Sequence, residues 1–170
     1  MTFYLIALAI VFLDQTTKLV IIQTIQYGQA IAIIPDFFDI VFVLNPGAAF
    51  GFLSTLSAEV RNPLFILISV VAVVLIVFYH ARYLGSNRLV SFALALVLGG
   101  AAGNLIDRLR YGMVVDFLDV HVGQYHWPAF NVADAAVSLA TLIILFRIVR
   151  EGLAEKSKDD ARRRSSEQVL

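Results

Sequence analysis

The chain reads as a membrane protein, mainly α, with four transmembrane helices and a small β-sheet with loop elements at the outer face. Three observations predict this. Hydrophobic residues make up 59% of the 170 and charged residues only 15%, against about 25% charge in a soluble domain. Four windows approach the ~20 apolar residues that a bilayer-spanning helix needs. The charges are also unevenly placed: residues 151–170 hold ten and residues 1–150 only sixteen. This pattern excludes an ordinary soluble globule and a disordered chain. There is no basic face for a nucleic acid. The absence of cysteine removes a disulfide framework, a thiol nucleophile and an iron–sulfur cluster.

The first span is Phe3–Ile25, interrupted by Asp14 and Lys18. It lacks the basic start and small-residue cleavage site of a signal peptide. The second, Leu64–Ala81, follows Pro63, a residue suited to a first helical turn. The third is Leu89–Asp107 and the fourth Val132–Val149, so residues 1–150 form one membrane domain. Between the first two, the β-rich runs Ile31–Ile34 and Asp39–Leu44 flank the Pro35-Asp36-Phe37-Phe38 break. Asn45-Pro46-Gly47 then signals a turn. A small sheet at the outer interface follows from this. Phe37, Phe38, Phe42, Phe50 and Phe52 there suit either contact with lipid or an apolar ligand, or simple anchoring of the loop. In the 108–131 connection, Tyr111, Tyr125, His126 and Trp127 read as interfacial aromatics. The mixed-charge stretch 151–170 reads as a solvated, partly disordered tail.

Lys and Arg set the orientation. Nine of them (Arg82, Arg88, Arg147, Arg150, Lys156, Lys158 and Arg162–Arg164) fall on one side, and Arg61, Arg108 and Arg110 on the other. Both termini are therefore expected in the cytoplasm.

Charge within a membrane helix is costly and is paired or functional. Asp14 and Lys18, four apart, share a helix face. They suit a neutralising pair, a donor reaching the outer site, or both. Asn104, Asp107 and Arg108 project to one side at the end of the third span. Arg108 is placed either to pair with Asp107 or to hold a peptide carbonyl. Gly99 and Gly103 just before them permit close helix approach. Asp116 falls in a short extended piece, Val114–Phe117, with Asp119 solvated nearby. Asp134 sits in the first turn of the fourth helix, where the dipole favours a carboxylate. The topology places it beside Asp116 at the outer face.

No nucleophile motif is present, and His80, His121 and His126 do not form a zinc-protease pattern. Two carboxylates sharing a proton can activate water without metal, covalent intermediate or cofactor. Such a pair can equally bind a cation or relay protons. A relay through Asp14, Asp107 and Asp134 would stack acids across the membrane, whereas nearly all of these gather at one face. A purely structural subunit is the remaining alternative.

The ordered motifs carry a resemblance. They are Asp14-Gln15-x-x-Lys18; Asn45-Pro46-Gly47-Ala48-Ala49-Phe50-Gly51; residues 99–108 with Val114-Val115-Asp116-Phe117; and Phe130-Asn131-Val132-Ala133-Asp134. Over about residues 3–150 the chain closely resembles the bacterial lipoprotein signal peptidase (signal peptidase II) family. The resemblance implies an inner-membrane aspartic endopeptidase, acting as a monomer, that cuts diacylglyceryl-modified prolipoproteins before the lipidated cysteine and is inhibited by globomycin. It implies Asp116 and Asp134 as the catalytic dyad. Asn45, Asn104, Arg108 and Asn131 would hold substrate backbone or the dyad. Asp14 and Lys18 would be a supporting pair, and Asp107 would orient its neighbours.

Overall fold

The computed structural model describes residues 1–47, 56–83 and 87–167. Residues 48–51 of the second motif and Phe52 lie outside them, so the choice for Phe50 and Phe52 between contact with lipid or a ligand and simple anchoring falls there too. Four helices form: α1 (Thr2–Thr24), α2 (Ala58–Tyr83), α3 (Arg88–Tyr111) and α4 (Val132–Glu167). Each is long and apolar enough to cross a membrane. Four strands, β1 (Ala30–Ile34), β2 (Phe38–Asn45), β3 (Val114–Val122) and β4 (Tyr125–His126), make one antiparallel ladder in the order β1-β2-β3-β4.

Two boundaries differ from the sequence reading. α2 starts before Pro63 because the Ser57 carbonyl accepts from the Val60 and Arg61 N–H groups and closes an earlier turn; the proline lies inside the helix. α4 does not stop at Val149 but continues to Glu167. Residues 150–167 are rich in Ala, Glu, Lys and Arg and hold no proline, so helix propensity carries the backbone on.

α3 is the central element, touching α1, α2, α4 and β3. Its small residues permit this. A Cβ on Gly99 would meet Ile10 Cβ at 2.7 Å, one on Gly100 the Ala133 carbonyl at 2.5 Å, and one on Gly103 Asp14 Oδ2 at 2.6 Å. Gly99 and Gly103 thus admit α1, and Gly100 admits α4. Phe3, Ala7, Ala95 and Leu98 form one buried cluster, and Ala93, Leu96, Ala136 and Ala140 another.

The β1–β2 hairpin turns at Asp36, whose φ of 59° is the left-handed conformation that Asp tolerates. β3 is a full nine-residue strand, not the short piece expected, because it pairs with β2 from far along the chain (Val43↔Asp116, Asn45↔Val114). Phe117 packs with Ile21 and Ile25 and ties the sheet to the end of α1, with Phe42 against the same cluster. Phe37 is half-exposed, and Tyr125 and Trp127 are well exposed. Asp119 is not freely solvated: His126 Nδ1 lies 2.9 Å from its carboxylate, and His126 stacks on His121.

The glycine contacts yield a stability prediction. Gly100→Ala should destabilise the fold by about 1–3 kcal/mol, since backbone cannot yield as a side-chain tip can. Gly152→Ala, which meets nothing within 4 Å on α4, should be neutral or stabilising by about 0.5–1 kcal/mol. Thermal unfolding of both variants in detergent measures the contrast.

Candidate active site

The expected residues converge around the C-terminal halves of α1 and α3, the start of α4 and the edge where β2 meets β3. Gly112, in the left-handed conformation at φ 69°, donates to the Arg108 carbonyl and ends α3. The chain then turns directly into β3 and carries Asp116, 1% exposed, into the interior. At the other end of the connection, Phe130 bridges to Leu118 of β3 through backbone hydrogen bonds. That bridge brings Asn131 and the start of α4 alongside Asp116.

Lys18, buried to 2% exposure, is the hub beneath. Its Nζ lies 2.9 Å from Asp14 Oδ2 and 2.8 Å from Asp107 Oδ2, and donates to Asn104 Oδ1 at 2.9 Å. An ammonium has three N–H groups, so all are engaged. Lys18 forms the pair inside the bundle, and it also reaches the residues above through Asn104 and through its charge on Asp116.

Asp14 and Asp107 each pass the hold on. Asp14 Oδ1 accepts the Ala133 backbone N–H at 2.9 Å, in the first turn of α4. Asp107 Oδ2 accepts the Val115 N–H at 3.1 Å, one residue before Asp116. Gln15, which sequence reasoning quoted in a motif but gave no role, completes the set. Its Nε2 donates to Asp107 Oδ1 at 2.9 Å, the Gly103 carbonyl at 3.1 Å and Asp14 Oδ2 at 3.2 Å. The available signal was a polar amide next to Asp14 in an otherwise apolar span.

Three asparagines are each clamped through the side-chain oxygen, which leaves the NH₂ group facing a carboxylate. Asn45 Oδ1 accepts from the Gly47 N–H at 2.9 Å, and its Nδ2 donates to Asp116 Oδ2 at 2.8 Å. Gly47 has φ 92°, and a Cβ there would strike the Phe65 ring at 2.6 Å, so only glycine suits this turn. Asn131 Oδ1 accepts from the Asp134 N–H at 3.0 Å, and its Nδ2 donates to Asp116 Oδ1 at 2.7 Å. Asn104 Oδ1 accepts from Lys18 and also from Asn131, at 3.2 Å, while its Nδ2 donates to Asp134 Oδ1 at 2.7 Å. The Asn131 N–H also reaches Asp134 Oδ2 at 3.4 Å, closing a reciprocal box at the start of α4. The capping role of Asp134 is therefore real and coexists with its place beside Asp116.

Arg108 does not pair with Asp107, whose oxygens are taken by Lys18, Gln15 and Val115. Among the described residues it makes no ion pair within 4 Å. Its guanidinium lies over the Phe65 ring at 5.4 Å, with Nη1 3.5 Å from Ser69 Oγ. It lines a cavity of about 620 Å³ together with Asn45, Gly47, Phe130 and Asp134, and with Leu139 and Leu142 further along α4. Among the described residues no three His, Asp or Glu side chains are grouped to hold a metal ion.

Burial and a neighbouring charge act strongly on Asp116. Burial first, and then the charge of Asp134, push its carboxyl up to about 7, against the hydrogen bonds from Asn45 and Asn131 and the charge of Lys18. A carboxyl that holds a proton near neutrality beside a second carboxyl is the acid–base arrangement that water activation needs.

A family model describing signal peptidase (SPase) II matches residues 6–150. A lipoprotein signal peptidase of Syntrophotalea carbinolica is 47% identical over 153 residues, covering 90% of this chain and 94% of the relative. One of Desulforapulum autotrophicum is 41% identical over 145 residues, 85% of this chain and 90% of the relative. Two solved bacterial membrane enzymes superpose well. One, solved in meso at 2.3 Å resolution, has TM-score 0.79 and 32% identity, covering 89% of each chain. The other, at 1.9 Å, has TM-score 0.77 and 33% identity, covering 86% of this chain and 92% of that one.

The hub carries its own prediction. Lys18→Met leaves Asp14 and Asp107 buried without their cation and should cost about 3–5 kcal/mol. Thermal unfolding in detergent reads this; a loss below ~1 kcal/mol would show that the cluster is not held by its charge.

Proposed function

The chain belongs to the signal peptidase II family of lipoprotein signal peptidases, membrane proteases that process prolipoprotein signal peptides, and we propose that Asp116 and Asp134 are its catalytic dyad. The observation that carries this reading is Asn131, which bonds to both residues, Asp134 itself lining the cavity that Arg108 lines. No other carboxylates in the cluster are free for chemistry, since Asp14 and Asp107 are held by Lys18 and Gln15.

The dyad works with one proton between two carboxyls, because close like charges resist ionising together. The ionised member takes a proton from water, and the water oxygen attacks the peptide carbonyl carbon. The protonated member gives its proton to the carbonyl oxygen, forming a gem-diol. On collapse the C–N bond breaks. The nitrogen takes a proton from the pair, and one gem-diol hydroxyl returns a proton to it. Arg108 steadies the carbonyl as charge develops there.

The cavity suits the substrate class. From Asp134 to Leu142 along α4 is about 12 Å at ~1.5 Å per residue, polar at one end and apolar at the other. The peptide bond before the lipidated cysteine lies at the polar end, and the diacylglyceryl group runs along Leu139 and Leu142. Globomycin occupies the same cavity. The protein acts as a monomer in the bacterial inner membrane, with the Arg82, Arg88, Arg147 and Arg150 ends of the helices in the cytoplasm and the dyad at the outer face.

Asp116→Asn and Asp134→Asn should each reduce cleavage of a lipidated precursor by about 10²–10⁴-fold or more while the protein stays folded. Near-normal turnover by either variant would sink the dyad assignment. The pH dependence has a definite sign. Asp116 holds its proton below about 7 and loses it above, so kcat/KM should fall on the alkaline side with an apparent pKa near 7. A rate that keeps rising through about pH 9 would contradict this.

A further inference from the structure

A second cavity, of about 400 Å³, lies along the outer surface of α1 and is closed at one end by Arg110 of α3. It shares no lining residue with the catalytic cavity. We propose that this groove is a binding site for a membrane phospholipid, with one acyl chain against α1 and the phosphate on Arg110.

The groove runs from Leu8 to Leu19 across the middle of α1, about 16 Å at ~1.5 Å per residue, long enough to hold the ~15 Å of chain in half of a ~30 Å hydrocarbon core. Its walls are apolar apart from Gln15, Thr16 and Arg110, and open to the membrane: Leu8 is 63% and Phe12 72% exposed. Gln15 lies in the floor, but its amide nitrogen is engaged by Asp107, Asp14 and the Gly103 carbonyl. An acyl chain there leaves that donor satisfied. Arg110 sits in the last turn of α3, at headgroup level, exposed and with no ion pair within 4 Å among the described residues. A guanidinium at that depth, above an apolar channel, matches a phosphate with a chain below it.

Native mass spectrometry of the full chain in detergent, titrated with phosphatidylglycerol, tests the site. The wild type should hold one lipid in this groove, counted as the binding that persists in Leu142→Trp. Arg110→Gln should weaken that binding about tenfold, and Thr16→Trp, which fills the groove from its exposed side, should weaken it similarly. Leu142→Trp, in the catalytic cavity, should leave it unchanged. Equal binding by the wild type, Arg110→Gln and Thr16→Trp overturns the proposal, as does binding lost only in Leu142→Trp, which would place the lipid in the catalytic cavity. Both groove positions are exposed, so unfolding temperatures should match the wild type and a loss of lipid cannot be a loss of fold.

Discussion

One buried ammonium organises this protein. Lys18 meets Asp14, Asp107 and Asn104 at 2.8–2.9 Å, and each partner belongs to, or reaches, a different element. Asp14 caps α4 through the Ala133 N–H, and Asp107 holds β3 through the Val115 N–H. Three helices and the sheet are therefore registered against one point. Such a cluster is costly to desolvate and tolerable only when every donor and acceptor is met. Here the three N–H groups of Lys18 all have partners, and Gln15 fills the remaining acceptors. Removing any one member leaves the others stranded in a low-dielectric interior.

The close approach of the helices makes this cluster possible. Asp14 occupies the space a side chain at Gly103 would take, and the Ala133 carbonyl does the same at Gly100. The glycines of α3 thus do two things at once. They bring α1 and α4 onto one central helix, and they open the room in which a carboxylate meets a backbone N–H instead of lipid. Unsatisfied polar groups at membrane depth are costly, so packing and polar satisfaction are solved by the same residues.

Above the cluster, a layer of amides converts structural order into chemical order. Asn45, Asn104 and Asn131 are each polarised by a donor on the oxygen side, respectively Gly47, Lys18 and Asp134. Their NH₂ groups then have one direction to point, toward Asp116 or Asp134. The carboxyls are held without being neutralised by a cation. Burial can therefore keep a proton on Asp116 near neutrality, while Asp107, paired with Lys18, is bound to structure. Chemically identical side chains a few ångströms apart take different roles because their partners differ.

Much of this was legible in the residues. Four apolar spans, the outer β-rich runs and the scarcity of charge determine a four-helix membrane protein with a small sheet, because the hydrophobic requirement of the bilayer acts on local composition. The i,i+4 spacing determines that Asp14 and Lys18 meet, and the ordered motifs mark out nine of the residues that converge. Other features depended on which distant segments come together. β3 pairs with β2 across some seventy residues, Arg108 leaves Asp107 to Lys18, Gln15 bonds across to α3, and Asp14 caps a helix that begins 118 positions later. Helical spacing constrains neighbours within a turn or two. It carries no information about which acceptor wins a buried donor when several lie within reach. That choice is made by packing geometry, and only the tertiary structure shows which partners each buried acid takes, Lys18 and Gln15 for Asp14 and Asp107, asparagine amides for Asp116 and Asp134.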